Sequence, residues 1–562
     1  MSFNNQLKNL SKIEVISILG SFGVIIFYLF VIIKHSVNAP IWDEYYTVLE
    51  YFNNYLSSES NLEKIKIFFT NQHNGHRLYL NNILLTVYYY LFGTINFKVL
   101  TIIGNLFLVA LLFIFKKSFI PKKSNYLLFP ISCLLINFQY YLSSIMEIAS
   151  IEFFGAFFLI YLSLYLLKNG GLKQYILALL LGLLGFYTCA HGILLGPIGA
   201  LLLLLYKRWR LCFIWIIVFA IMTVLYLNDL KQGWGPKPVS VSENLFCNTE
   251  ALFSFFMKLI GSPFYIFGNV EKLVFAAGLT ISSLIMYLVY QLFNHKKYLL
   301  LCGLLLIVSS LFLVSLGRLQ LSSPSESRFR LYSSILYVLL VISFVTYREK
   351  KTPVIVKLAL QATCVAYFSF TFNIQKDYLN HLSHYIKINK SCYVDNPEES
   401  YGYRCPSQKE AIELVNQAHF MGYYSHHPMD QCPIKEGSNK LTDFDWSKVK
   451  YVTNNEVRFT FQYEWLSTNI RVKGNGFHLK QQNSKNHYFV VLTSELKKII
   501  YPCKKIMNRN LRSIQQIGYD YNGYEKIIDT RALAPGSYQV GLILLTEANE
   551  YYFKTINQVI EI

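Results

Sequence analysis

Charge is scarce in this chain. Of 562 residues only 15% are Asp, Glu, Lys or Arg, while 53% are hydrophobic and the mean hydropathy is +0.32. A soluble domain carries more polar surface than that, and several apolar runs approach the roughly twenty residues that cross a bilayer. Acids are the scarcer sign, with 33 against 52 basic residues and a formal net charge of +19. That excess does not form a basic stripe with interleaved aromatics, because the cations are spread over short loops between apolar runs. Such a pattern argues for membrane topology and against a nucleic-acid partner. An internal repeat, a low-complexity linker and cysteines at zinc-ligand spacing are all missing too. The first apolar run, Ile13 to Ile33, is long for a signal peptide and lacks a small-residue cleavage site, so it reads as a retained first span.

Apolar windows place spans at 14–34, 98–116, 125–142, 150–168, 173–190, 193–206, 209–227, 271–293, 298–316, 331–347 and 353–374. Charge orients them. With the N-terminus inside, the inner loops hold Lys116, Lys117, Lys122 and Lys123, then Lys168 and Lys173, and then Lys207, Arg208 and Arg210. Lys296 with Lys297, and Arg348 with Lys350 and Lys351, continue the series. Every inner loop is basic, as cytoplasmic loops are. The outer face then receives the first loop (35–97), the loop from Gln139 to Glu147, the turn at His191, the stretch 228–270 and the loop 317–330. After residue 374 charge returns. A helix is expected over 408–419, and alternating stretches such as "HYFVVLT" and "GSYQVGLILL" suit strands, with "APGS" as a turn. The expected fold is a polytopic α-helical membrane protein of about eleven spans (1–374) with an extracytoplasmic α+β, β-sandwich-like domain (375–562).

Five cysteines (Cys133, Cys189, Cys212, Cys302, Cys364) lie in or beside spans, where a buried thiol is ordinary. Cys392, Cys405, Cys432 and Cys503 lie in the tail, where an oxidising compartment would favour two disulfides. Aromatic content is 16%, which suits both membrane interfaces and sugar-binding clefts.

Polar residues converge on the expected outer face. "APIWDEYY" follows the first span and sets Asp43 and Glu44 at the membrane surface. Asp43 could cap a helix through 45–55, or act as a general base whose partial desolvation suits it to the task. "QHNGHR" (72–77) follows it in the same loop. His73 and His76 on one helical face would suit a metal, but Asn74-Gly75 between them argues for a turn. An anion or sugar contact through His73, Asn74, His76 and Arg77 competes with a solvated interfacial loop. Arg318, Arg328 and Arg330 in "SLGRLQLSSPSESRFRLYSS" lie against the positive-inside trend, which binding an anion at the outer leaflet would explain. Tyr332 follows them. Glu147, Glu152 and His191 are lesser candidates, since caps and helix–helix hydrogen bonds account for such residues equally well.

These residues together resemble the GT-C superfamily of polytopic glycosyltransferases, and within it the bacterial serotype-converting enzymes that decorate O-antigen. "WDE" after the first span, "QHNGHR" before the second and "GR…SRFR" late in the membrane region carry the resemblance, which covers roughly 10–375. Two positions depart from that group's pattern: Gly75 stands where "HNEHR" has an acid, and Phe329 where "SRY" has a tyrosine. The resemblance implies a GT-C-like catalytic domain in a bacterial inner membrane. It implies a polyprenyl-phosphate-linked sugar as donor and O-antigen or a similar glycan as acceptor. Asp43 would be the base. Arg77, Arg318, Arg328 or Arg330 would hold the lipid phosphate, and His73, His76 and Glu44 would position sugar hydroxyls. Arginines paired with a monophosphate make a divalent metal dispensable, so no metal or other cofactor is expected. An O-antigen polymerase or ligase is the nearest rival and would concentrate its chemistry in a large central outer loop. A transporter would need intramembrane charges near the bilayer midplane.

Overall fold

In the computed structural model, residues 11–73, 76–228, 248–267, 270–319, 322–347, 353–392 and 408–424 are described, followed by nine strands between 449 and 561 with residues 494 and 536 beside them. The chain divides into two compact units, 1–426 and 427–562.

The first unit is a polytopic helical bundle. Eight helices among the described residues are long and apolar enough to cross a membrane, from Lys12–His35 to Val354–Asn380. Lys12–His35 shows how they arise. Ser11 and Glu14 close a capping box at its start, Lys34 and His35 complement the dipole at its end, and its 24 residues span about 36 Å. Ser17, Ser21, Val24, Tyr28 and Ile32 face inward, while Leu19, Phe22, Ile26 and Phe30 stand exposed on the other side. An exposed apolar stripe of that length needs an apolar solvent. Two of the expected spans are shorter helices, Leu172–Thr188 and Ala190–Leu205.

The expected span at 125–142 is not one helix. A 3-10 turn (Lys122–Leu127) leads into Leu128–Leu135, and the chain then leaves helical geometry at Ile136 until Tyr141–Ile145. Asn137 causes the break. Its side-chain amide donates to Leu134 O at 2.6 Å, and its Oδ1 accepts from Gln139 N at 2.9 Å, a local turn that competes with helix. Tyr140 OH adds a hydrogen bond to Leu135 O. The segment Asn137–Tyr140 is fully buried, which is where non-helical backbone can persist inside a membrane protein.

The expected boundary at 374/375 falls inside a continuous helix, Val354–Cys392. The next helix, Gln408–Phe420, belongs to the first unit. Beyond it, Tyr423 OH donates to Asn53 Oδ1 at 2.7 Å, and Ile95 N donates to Tyr423 O at 2.6 Å. Those bonds tie residues 408–424 to the first loop.

The second unit holds two sheets. One runs in the order Val449–Tyr451, Tyr551–Glu561, Ser537–Leu545, His487–Thr493, Lys498–Pro502, antiparallel except for its first pair. The other pairs Val457–Leu466, Asn469–His478, Gly523–Asp529 and Lys504–Ile506, all antiparallel. Ala534 and Pro535 of "APGS" and the cysteines Cys247, Cys405, Cys432 and Cys503 lie outside the described residues, as does the side chain of Cys392, so the expected disulfides do too. The five cysteines of the bundle are free and buried.

Candidate functional site

Three chain segments supply the acids and histidines of one polar pocket in the first unit. The first is the exit from helix Lys12–His35. Trp42 adopts φ 47°, a left-handed conformation rare for a bulky residue, and the chain enters a π-helical segment, Tyr45–Glu50, just past Asp43 and Glu44. The second is a minimal hairpin, Gln72–His73 with His76–Arg77, in the register Gln72↔Arg77 and His73↔His76. The two residues between the strands, Asn74 and Gly75, lie outside the described residues. The third is another π-helical segment, Ser150–Gly155, which carries Glu152. Close packing positions it, since a Cβ on Gly104 of helix Phe97–Phe119 would overlap the side chain of Ser150.

The pocket encloses about 570 Å³ of empty space including its open mouth, and Asp43, His73, His76, Glu152, Arg318 and Arg328 line it together. Residues far apart in sequence meet there in pairs. His73 Nε2 lies 3.1 Å from Asp43 Oδ1, with the Tyr46 ring stacked 6.4 Å from the imidazole. His76 Nδ1 lies 3.3 Å from Glu152 Oε1. Arg328 Nε is held 2.7 Å from Glu326. Arg318, by contrast, makes no side-chain hydrogen bond among the described residues, so its guanidinium is open to an anion. Burial, then the charge of Arg318, pushes the His76 pKa down to about 3, which keeps that imidazole neutral.

Other expected residues stand elsewhere. Glu44 is 1% exposed and does not line the pocket. Its carboxylate accepts from the backbone N–H of Ile41 at 2.9 Å and of Glu147 at 2.6 Å, so it staples the first loop to the start of Glu147–Ala149. Burial pushes its pKa up to about 8, against the pull of those N–H groups, and Asp43 adds repulsion. Glu147 is buried behind it, with neither carboxylate oxygen hydrogen-bonded among the described residues. Arg77 is an anchor. It donates to Tyr226 O at 3.1 Å and lies 5.4 and 5.8 Å from the ring centroids of Tyr226 and Tyr187. Arg330 bonds Ser325 O at 2.8 Å. His191 stacks on Phe157 and sits 3.1 Å from Tyr332 OH, inside the bundle.

Ser143 also lines the pocket, and its buried hydroxyl has no hydrogen-bond partner among the described residues. Cys189 stands close to His76 and Glu152. Sequence reasoning missed both as site residues. The only signal was their place, Ser143 in the expected outer loop 139–147 and Cys189 at the end of the expected span 173–190 next to the turn at His191, which does not separate Ser143 from Ser144.

The fold and the pocket define a multi-pass helical protein with a polar, arginine-bearing site at one end of its spans. Comparison with protein-family models, with curated proteins and with solved structures finds no match for the chain.

Proposed function

We propose that the protein is an inverting, GT-C-like glycosyltransferase that moves a hexose from a polyprenyl-phosphate sugar to O-antigen or a similar surface glycan, a serotype-converting activity. The observation that carries the reading is one pocket holding a paired carboxylate, Asp43–His73, together with two arginines, Arg318 and Arg328. The donor arrives with an activated anomeric phosphate. An enzyme for it must remove a proton, align the attack and stabilise the departing anion. In this reading Asp43 takes the proton of the acceptor hydroxyl, and His73 fixes the carboxylate's orientation. The acceptor oxygen then forms its bond to the anomeric carbon as the bond to the phosphate oxygen breaks. Arg318 and Arg328 receive the lipid phosphate. One displacement inverts the anomeric centre. No step requires a metal. The site belongs on the periplasmic face of a bacterial inner membrane, with the N-terminus cytoplasmic and the C-terminal strands forming a periplasmic, sandwich-like module.

Mass spectrometry of surface polysaccharide tests this. Hosts express the wild type, Asp43→Asn, or nothing. Wild type should add a hexose-sized mass that well-expressed Asp43→Asn lacks, because the amide cannot accept the proton. A gain surviving the substitution moves the base elsewhere. A change in chain length without added mass per repeat replaces the transferase with a polymerase.

A further inference from the structure

The geometry points to a second ligand in the first unit: His76, Glu152 and Cys189 form a binding site for a zinc-type divalent cation, with one coordination position left facing the pocket. Three segments supply the donors. His76 comes from the hairpin, Glu152 from the π-helical segment, and Cys189 from the end of helix Leu172–Thr188. Their ligating atoms all lie within 4.8 Å of one another. Tetrahedral zinc holds N, O and S donors about 3.3–3.5 Å apart, so small side-chain rotations complete the set.

The polar atoms of the cluster point the same way. His76 Nδ1 and Glu152 Oε1 are buried atoms 3.3 Å apart, in ion-pair range of each other but, among the described residues, without hydrogen-bond geometry to any partner. Buried polar atoms are rarely left so, and an ion between them satisfies both. The donor mix selects the metal. Imidazole, carboxylate and thiolate suit zinc, whereas magnesium and calcium take oxygen donors. Charge agrees, since one carboxylate and one thiolate cancel the doubly positive ion and add no repulsion toward Arg318 and Arg328. Binding releases the thiol proton to solvent. The cation would clip the hairpin to the bundle. The transfer step proposed above does not pass through it, so the two readings fail separately.

The test uses the full-length protein in detergent, stripped with a chelator and titrated with Co2+ under visible and near-ultraviolet absorption. The expected result is a single Co2+ per chain, with tetrahedral d–d bands and a thiolate-to-cobalt charge-transfer band, both abolished by Zn2+. Cys189→Ser should lose the charge-transfer band. Cys133→Ser, which removes a buried thiol outside the cluster, should keep it. Glu152→Gln should weaken Co2+ at least about tenfold, and it serves as the readout if Cys189→Ser does not fold. The proposal is overturned by a monodisperse wild type without the band, by a band that survives Cys189→Ser, or by unchanged affinity in Glu152→Gln.

Discussion

Glu44 and Asp43 are adjacent in the chain and opposite in circumstance. Asp43 looks into the pocket beside His73, while Glu44 turns away and takes the backbone N–H groups of Ile41 and Glu147. Its raised pKa has a consequence for stability. A carboxyl pushed from 4.5 to about 8 binds its proton more tightly when folded, so its contribution is fully present below the unfolded value. It is lost as pH rises between those two values and is flat above them. The melting temperature of the detergent-solubilised protein should therefore fall across that window. Glu44→Gln should flatten the slope, because the amide keeps an acceptor oxygen and cannot ionise. Glu44→Ala should lower stability at every pH by roughly 2–4 kcal/mol, the cost of leaving buried N–H groups without an acceptor. An unchanged slope in Glu44→Gln would assign the pH dependence to another group.

At the scale of elements, the two π-helical segments, Ser150–Gly155 and Tyr45–Glu50, do most to shape the pocket. π-Helical turns are rare and concentrate at functional sites, because the extra residue re-aims the side chains around it. Here one such turn carries Glu152 and another, Tyr45–Glu50, begins beside Asp43. Both depend on close packing. Gly104→Ala places a methyl group against Ser150 and should cost about 1–3 kcal/mol. It should also reduce transfer, because the segment that moves lines the pocket beside Asp43, Arg318 and Arg328. Gly23→Ala is the control, since a Cβ there meets nothing within 4 Å. Parallel melting and polysaccharide mass measurements on the two variants would separate this local effect from a general intolerance of glycine replacement.

For the molecule as a whole, the division at 426/427 matters more than the composition change near 375. Helix Gln408–Phe420 and the residues after it lie on the first loop, with Tyr424 OH donating to Asn38 O at 3.3 Å and Tyr423 buried against Phe52. Truncation after residue 426 should leave the bundle's melting temperature close to that of the full chain. Truncation before residue 408 should lower it clearly, since burial of Tyr423 and Tyr424 is lost along with the bonds to Asn38, Asn53 and Ile95. Equal melting of the two truncations would mean that residues 408–424 do not hold the first loop.

Much of this was legible in the residues. Long apolar runs with few charges allow only membrane-crossing helices, because backbone groups in hydrocarbon must bond within their own segment. A chain reversal between His73 and His76 was legible through the turn-forming pair Asn74-Gly75, but the strand pairing on either side of it was not. Proximity was not. That Asp43 meets His73, that His76 meets Glu152, and that Arg318 and Arg328 line the same space follows from how the helices pack. Nor does composition distinguish Arg77, spent on Tyr226 O, from Arg318, open to the pocket. Hydropathy and local turn chemistry act along the chain and can be read there. Which arginine is held and which is free depends on contacts between residues more than a hundred positions apart, and packing alone decides those.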